Sequence, residues 1–229
     1  MTDFPFDAVL FDCDGVLVDS EPITARVLAD MLNELGWAVT FDEVTRIFTG
    51  KAVRDELPLI QARTGVDLAP EWFAQFRERR NAALDRELRE IPGAPDAVRS
   101  LNRTLAGRIA VASGADRRKV ELQLAKVGIA DCFGQRVFSG HEMPRSKPHP
   151  DVYLAAASAL GVDPRRCAVV EDTVTGATAG VAAGATVFGY SPDANGHSSA
   201  EALRGVGVAH VFTDMAQLPG LLAGWAAAR

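Results

Sequence analysis

From residue 92 onward, short apolar runs alternate with segments of helical periodicity, and this alternation most constrains how the chain can fold. After a first strand at 8–11, the apolar runs predict strands at 109–112, 136–139, 167–170, 186–189 and 209–212. The segments between and after them predict helices at 95–105, 116–127, 151–160, 175–183, 199–205 and 215–227. Strands that alternate with helices form a parallel sheet with helices on both faces, so we predict a Rossmann-like α/β fold.

The stretch between the first strand and residue 91 contains no convincing strand. Apolar residues at helical spacing predict helices at 20–35, 42–48, 52–64 and 70–89, and Pro58 is expected to kink the third of them. We therefore predict a sheet domain made of residues 1–18 and 91–229. Residues 19–90 are predicted to form an inserted, all-helical domain.

Polar clusters follow the predicted strands, where the ligand crevice of an open α/β sheet is expected. They are Asp12 to Gly15, Ser113-Gly114, Lys147 in Ser146 to Pro150, and Glu171 to Thr173. Two of the clusters are acidic, one offers a hydroxyl group and backbone amides at a helix start, and one offers a cation. Transfer of a phosphoryl group, which is an anion attacked by another anion, needs this combination.

The first cluster predicts a metal site. Asp12 and Asp14 are two residues apart on a strand and therefore point to the same side. Two carboxylates in one pocket repel each other, so we expect a cation between them, and all-oxygen ligation suits Mg²⁺. A solvated turn or part of a calcium loop would explain the same letters, although Val16 breaks the calcium pattern.

Each of the other clusters also has a purely structural interpretation. Ser113-Gly114 is compatible with an ordinary helix N-cap, and so is Asp172. A lone lysine such as Lys147 is usually a solvated surface charge. The functional interpretation therefore depends on all the clusters meeting in one crevice.

The sequence resembles the haloacid dehalogenase-like phosphatases, and among them the branch that contains β-phosphoglucomutase. The resemblance covers nearly the whole chain, and its matching stretches are Phe11 to Glu21, Val111 to Gly114, Lys147 to Pro150 and Val169 to Gly176. It implies that the helical insertion is a mobile cap that closes over the substrate.

The resemblance also implies a role for each core residue. Asp12 would be the nucleophile that forms a phospho-aspartate. Asp14 would be the general acid, and afterwards the general base. Ser113, Gly114 and Lys147 would bind the phosphoryl group.

The implied Mg²⁺ site uses Asp12, the backbone carbonyl of Asp14, and Asp172, with Glu171 in or beside the ligand shell. In the cap, Gly50, Lys51 and Arg54 are similar to the family's substrate-specificity loop.

Arg80 matches a basic position on the family's last cap helix. The alternative is that Arg80, like Arg77 and Arg79, belongs to a solvated helix face.

The resemblance implies a Mg²⁺-dependent phosphatase of a small sugar phosphate or sugar-acid phosphate. The stretches Asp12 to Gly15, Phe138 to Gly140 and Gln217 to Pro219 are similar to those of bacterial phosphatases of sugar acids such as 6-phosphogluconate. A hexose-phosphate mutase is the alternative, although Thr24 stands where the mutase carries a histidine. A member that only binds a metabolite or partner protein would not need four intact catalytic positions. Phosphonoacetaldehyde hydrolysis would require Lys51 as its Schiff-base lysine.

Composition limits the partners and the setting. The net charge of −6 argues against a nucleic-acid partner, which would need a concentrated basic face. The sequence has no signal-type start and no apolar stretch long enough to span a bilayer, so no membrane partner is expected. Three scattered cysteines do not form a disulfide framework and favour a reduced, cytoplasmic location. We expect a monomer or a weak dimer.

Overall fold

The computed structural model describes residues 4–48, 53–192 and 198–226, with backbone alone at residues 54 and 55. The chain divides into two compact units, Met1–Val18 with Glu90–Arg229, and Asp19–Arg89. Within the described residues, none of the helices has the length and apolar character that crossing a membrane requires.

The first unit contains a six-stranded sheet in which all neighbouring strands are parallel. The strands are β1 (Ala8–Phe11), β2 (Ile109–Ser113), β3 (Val137–Ser139), β4 (Cys167–Glu171), β5 (Thr186–Tyr190) and β6 (His210–Phe212). Their order is β3-β2-β1-β4-β5-β6, which confirms the predicted Rossmann-like parallel fold. The carboxyl ends of β2, β1 and β4 therefore lie side by side at one edge of the sheet.

The second unit is helical in its described residues. Its helices are α1 (Glu21–Glu34), α2 (Phe41–Phe48), α3 (Leu57–Thr64) and α4 (Pro70–Glu87). The prediction of one kinked helix over 52–64 is wrong, because a short 3-10 helix covers Val53–Glu56 and α3 begins at Leu57, with Pro58 in its first turn. Backbone N–H groups in the first turn of a helix have no partner within the helix. Proline, which has no N–H group, therefore loses nothing there, and Pro58 lies at the start of α3.

The helical unit has its own small core. Ile60 and Phe76 are buried, and the ring of Phe76 stacks on that of Trp72 at a centroid distance of 5.9 Å. On the outside of the unit, Arg79 Nη1 lies 2.5 Å from Glu34 Oε1, an ion pair that joins α4 to α1.

Seven helices accompany the described part of the sheet unit. They are α5 (Ala94–Thr104), α6 (Arg117–Lys126), α7 (Ala130–Phe133), α8 (Asp151–Ala159), α9 (Val174–Ala182), α10 (Ala200–Gly205) and α11 (Leu218–Ala223). The prediction of one helix over 215–227 is wrong, because a 3-10 helix precedes α11 and the helix ends before Gly224. The sequence patterns also missed the single turn of α7.

Helices cover both faces of the sheet. Every residue of β1, β2 and β4 is buried, as expected for a parallel sheet between two helical layers. Leu10 lies in one apolar cluster with Val152 of α8. The next residue points to the opposite face, where the ring of Phe11 meets that of Phe133 of α7 edge to face at 6.1 Å.

Candidate active site

The candidate site lies at the carboxyl ends of the central strands. Asp12 directly follows β1, and its backbone N–H donates a hydrogen bond of 3.0 Å to the carbonyl of Val170 in β4. Ser113 and Glu171 are the last residues of β2 and β4. Because neighbouring parallel strands end at the same edge, chain segments more than 100 residues apart deliver their polar side chains to one place.

Three carboxylates form a buried acidic cluster. Oxygen atoms of Asp12, Glu171 and Asp172 lie within 4.8 Å of one another. Asp172 also lies against Gly15, where a Cβ atom would stand 2.1 Å from Asp172 Oδ2, and the φ angle of Gly15 is +76°. Only glycine satisfies both conditions. A set of carboxylate oxygens brought this close fits a hard divalent cation such as Mg²⁺.

Lys147 supplies the positive charge of the site. It lies in the loop between β3 and α8, and its side chain is only 8% exposed. Its Nζ donates to Asp12 Oδ1 at 2.6 Å and to Glu171 Oε1 at 2.7 Å. The alternative of a solvated surface lysine is thus excluded by the burial of this side chain.

Glu171 is held from several directions. Besides Lys147, the hydroxyl group of Tyr153 donates to Glu171 Oε1 at 2.6 Å, and the hydroxyl group of Thr173 donates to Oε2 at 3.2 Å. Gly176 of α9 packs so closely that a Cβ atom there would stand 1.7 Å from Oε1. Glu171 therefore contacts Lys147, the other two carboxylates of the acidic cluster and α9.

Burial and charge perturb the ionisation of these groups. Burial raises the pKa of Asp12 to about 7, with Glu171 and Asp14 adding to the shift and Lys147 opposing it. Burial alone would lower the pKa of Lys147, but the carboxylates of Asp12 and Glu171 outweigh it and raise that pKa well above the ordinary value. Lys147 is therefore charged at neutral pH, while Asp12 is poised near neutrality and a bound cation would favour its ionised form.

The side chain of Asp14 makes an ion pair and a hydrogen bond with residues other than Lys147. Lys119 Nζ lies 2.8 Å from Asp14 Oδ1, and Gln123 Nε2 donates to the same oxygen at 2.7 Å. Both residues project from α6 and are buried.

The sequence patterns missed Lys119, Gln123 and Tyr153. A usable signal existed on α6, where Lys119 and Gln123 are spaced four apart beside the apolar Val120 and Leu124. That spacing places two polar side chains on the inward face of an amphipathic helix.

Ser113 and Gly114 begin the turn between β2 and α6. The hydroxyl oxygen of Ser113 accepts a hydrogen bond of 3.0 Å from the N–H of Ala115, and Ser113 is 1% exposed. The N-cap of α6 is Asp116, which accepts a bond from the N–H of Lys119. Ser113 is therefore not the N-cap of this helix, and the alternative interpretation of it as a plain cap is wrong.

The predicted cap residues are placed only in part. Gly50 and Lys51 lie outside the described residues, and the side chain of Arg54 does too. Arg80 is buried at 7% exposure, and its guanidinium group donates to Asn81 Oδ1 and lies over the ring of Phe76. The alternative of a solvated helix face therefore does not apply to Arg80, although Arg77 and Arg79 are exposed.

Known proteins are similar to this chain in sequence. A family model described as haloacid dehalogenase-like hydrolase matches residues 6–184. The 6-phosphogluconate phosphatase of Escherichia coli is 32% identical over 220 residues, which are 94% of each chain.

Solved structures resemble the chain along nearly its whole length. A haloacid dehalogenase family hydrolase from Deinococcus radiodurans, with bound phosphate and sodium, is 38% identical with a TM-score of 0.76 and covers 96% of each chain. A putative β-phosphoglucomutase from Thermotoga maritima is 25% identical with a TM-score of 0.76, and the match covers 94% of this chain and 97% of that one.

Proposed function

The chain belongs to the haloacid dehalogenase-like hydrolase family, and from this premise we propose that it is a Mg²⁺-dependent phosphatase acting through a phospho-aspartate on Asp12. It is a phosphoric monoester hydrolase, as is its relative in Escherichia coli. The observation that carries the proposed mechanism is that Asp12 accepts a hydrogen bond from the ammonium group of Lys147 and shares one buried cluster with the carboxylates of Glu171 and Asp172.

Asp12, Asp172 and the backbone carbonyl of Asp14 would hold the Mg²⁺ ion, with Glu171 beside them. When bound, the ion would neutralise the carboxylates and withdraw charge from the phosphoryl oxygens. The fit rests on the chemistry of the donors, which are buried carboxylates close enough together to share one small cation. The close packing of Gly15 against Asp172 keeps that carboxylate at the cluster.

Asp12 is the nucleophile in this mechanism. One of its carboxylate oxygens forms a bond to phosphorus while the bond between phosphorus and the ester oxygen breaks. Asp14 gives its proton to the departing ester oxygen, which leaves as an alcohol. Water then attacks phosphorus, Asp14 takes a proton from that water, and the acyl-phosphate bond breaks to restore the carboxylate of Asp12 and release inorganic phosphate.

Lys147 and Ser113 bind the phosphoryl group in the proposal, with Gly114. The ammonium group of Lys147 is fixed by its two short bonds, so it needs no reorientation when negative charge develops on the phosphoryl oxygens. One such preorganised donor typically contributes about 3–4 kcal/mol to transition-state stabilisation. Hydrolysis of a phosphate monoester requires several groups of this kind acting together.

The substrate is proposed to be a sugar phosphate or a sugar-acid phosphate such as 6-phosphogluconate. This is supported by the relative of matching length that carries the latter activity in its name. The helical unit is proposed to be a cap that selects the substrate, with Gly50, Lys51, Arg54 and Arg80 as candidate contacts. A cytoplasmic location is supported by three cysteines, all buried and none in a disulfide.

The test measures phosphate release from a panel of sugar phosphates, with and without Mg²⁺. Asp12→Asn should reduce kcat by roughly 10⁴-fold or more, because an amide is not a nucleophile toward phosphorus. Asp131→Asn, at an exposed aspartate of the same unit, is the matched control and should retain wild-type turnover. Circular dichroism establishes that both variants are folded. Wild-type activity of Asp12→Asn on the best substrate would contradict the nucleophile assignment.

A further inference from the structure

Helix α6, which follows β2, carries two buried polar side chains that contact Asp14. Lys119 is 7% exposed and Gln123 is fully buried, and both are on α6, one helical turn apart. Their side chains converge on a single atom, Asp14 Oδ1, at 2.8 Å from Lys119 Nζ and 2.7 Å from Gln123 Nε2. The phosphatase mechanism proposed above assigns neither residue a role.

The orientation of Gln123 is itself fixed by a neighbour. The thiol of Cys13 donates to Gln123 Oε1 at 3.4 Å. An S–H donor on the oxygen of the amide group leaves its NH₂ group directed at Asp14. The two ends of the Gln123 amide are thus distinguished by Cys13 and Asp14, the two residues that follow Asp12.

Burial of a lysine is unfavourable unless a partner compensates for its charge. The side chain of Asp14 is 19% exposed and that of Lys119 is 9% exposed, so the pair is largely shielded from water. Two donors on one carboxylate oxygen restrict the rotation of the carboxyl group. Such double restraint is unnecessary for a turn residue, but it matters for a group that must meet a reacting atom.

We propose that Lys119 is a positioning residue for proton transfer, which with Gln123 holds the carboxyl group of Asp14 toward the ester oxygen of the substrate. The inference rests on the phosphatase mechanism proposed above. Lys119 exchanges no proton itself: the proton passes from Asp14 to the ester oxygen as the bond to phosphorus breaks, and later from water to Asp14. The ammonium group acts only through the position of Asp14.

This role predicts a dependence on the leaving group. An alkoxide leaving a sugar phosphate must be protonated, whereas 4-nitrophenolate is a stable anion and departs without a proton. Misplacement of Asp14 should therefore slow hydrolysis of 6-phosphogluconate, or of the best sugar phosphate in the panel, far more than that of 4-nitrophenyl phosphate. A merely structural lysine would affect both substrates equally.

The experiment compares Lys119→Met with Lys119→Arg and with Lys126→Met, an exposed lysine on the same helix. For the sugar phosphate, Lys119→Met should lower kcat about 10- to 100-fold with little change in KM, since general acid catalysis typically contributes about 10²- to 10⁴-fold. For 4-nitrophenyl phosphate the loss should stay below about 3-fold. Lys119→Arg should recover most of the activity, and Lys126→Met should match the wild type. In an Asp14→Asn background, Lys119→Met should cause no further loss.

The outcomes separate the two proposals. Equal losses on both substrates, or no loss on either, overturn the positioning role while the phosphatase mechanism stands. Wild-type protein that releases no phosphate from either substrate overturns the phosphatase mechanism, and the positioning role falls with it. If Lys119→Met does not fold, Gln123→Met removes one donor without leaving an unpaired charge and should show the same selective loss. If both variants unfold, the pair is structural and the inference is wrong.

Discussion

Gly176→Ala is the substitution whose consequence the structure defines most sharply. Gly176 is the third residue of α9, where alanine would ordinarily stabilise a helix by about 1 kcal/mol relative to glycine. Here the added Cβ atom would stand 1.7 Å from Glu171 Oε1 and 2.1 Å from its carboxyl carbon. Because Glu171 is completely buried, its carboxylate has to move within a packed interior.

The expected loss follows from the contacts that Glu171 makes. Its Oε1 accepts hydrogen bonds from Lys147 at 2.7 Å and from Tyr153 at 2.6 Å. Hydrogen bonds to a charged group contribute about 1.5–3 kcal/mol each, so losing both would destabilise the fold by about 3–6 kcal/mol. After the helical gain is subtracted, we expect a net destabilisation of about 2–5 kcal/mol. Movement of Glu171 would also remove one of the two partners that fix the ammonium group of Lys147, so we expect kcat to fall as well.

Urea unfolding monitored by circular dichroism, with EDTA present, measures the free energy of unfolding, and phosphate release measures kcat. Gly220→Ala is the matched control, because Gly220 is also the third residue of its helix. Among the described residues, no atom outside its chain neighbours and its own helix backbone lies within 4 Å of the position of its Cβ. It should be neutral or stabilising by up to about 1 kcal/mol. A Gly176→Ala variant that is as stable and as active as the wild type would refute the proposed role of this contact.

Two further predictions concern the groups around Asp12. Tyr153→Phe removes the hydroxyl donor to Glu171 but keeps the ring. Thermal unfolding should show that the free energy of unfolding falls by about 1–3 kcal/mol, and kcat should fall less than about 10-fold. Unchanged stability would contradict this prediction. Because Asp12 has a pKa raised to about 7, a cation must displace its proton at lower pH, and the affinity for Mg²⁺ should fall about tenfold per pH unit below 7 and level off above it. Calorimetric titration checks this, and Asp12→Asn should remove the pH dependence; an affinity independent of pH in the wild type would contradict proton displacement from Asp12 by the metal.

Much of the site was predictable because a parallel sheet converts sequence order into position. A buried apolar run followed by a polar cluster marks the carboxyl end of a strand, and adjacent ends meet at one edge. The positions of Asp12, Ser113 and Glu171 at this edge follow from that rule alone. The small errors occurred where a local pattern has two solutions, as at Pro58, which can either kink a helix or begin one.

The pairings between side chains were not predictable. The spacing of Lys119 and Gln123 indicates the inward face of a helix, but only the packing of α6 against the sheet unit directs both side chains to Asp14. The sequence likewise makes Tyr153 one of several possible inward residues of α8. The structure shows that its hydroxyl group lies 2.6 Å from Glu171 Oε1. The identity of a buried partner depends on helix rotation and on distances of a few tenths of an ångström, which periodicity does not specify.

The amino-acid sequence by itself determined the order of strands and helices, the parallel sheet and the presence of acidic, hydroxyl and cationic groups at its edge, because these follow from local periodicity and from the geometry of strands. Only the tertiary structure decided which cation neutralises which carboxylate, with Lys147 on Asp12 and Glu171, and Lys119 on Asp14. Electrostatic pairing in a buried site depends on the distance between charges and on their exclusion from water. Both of these are properties of the folded chain.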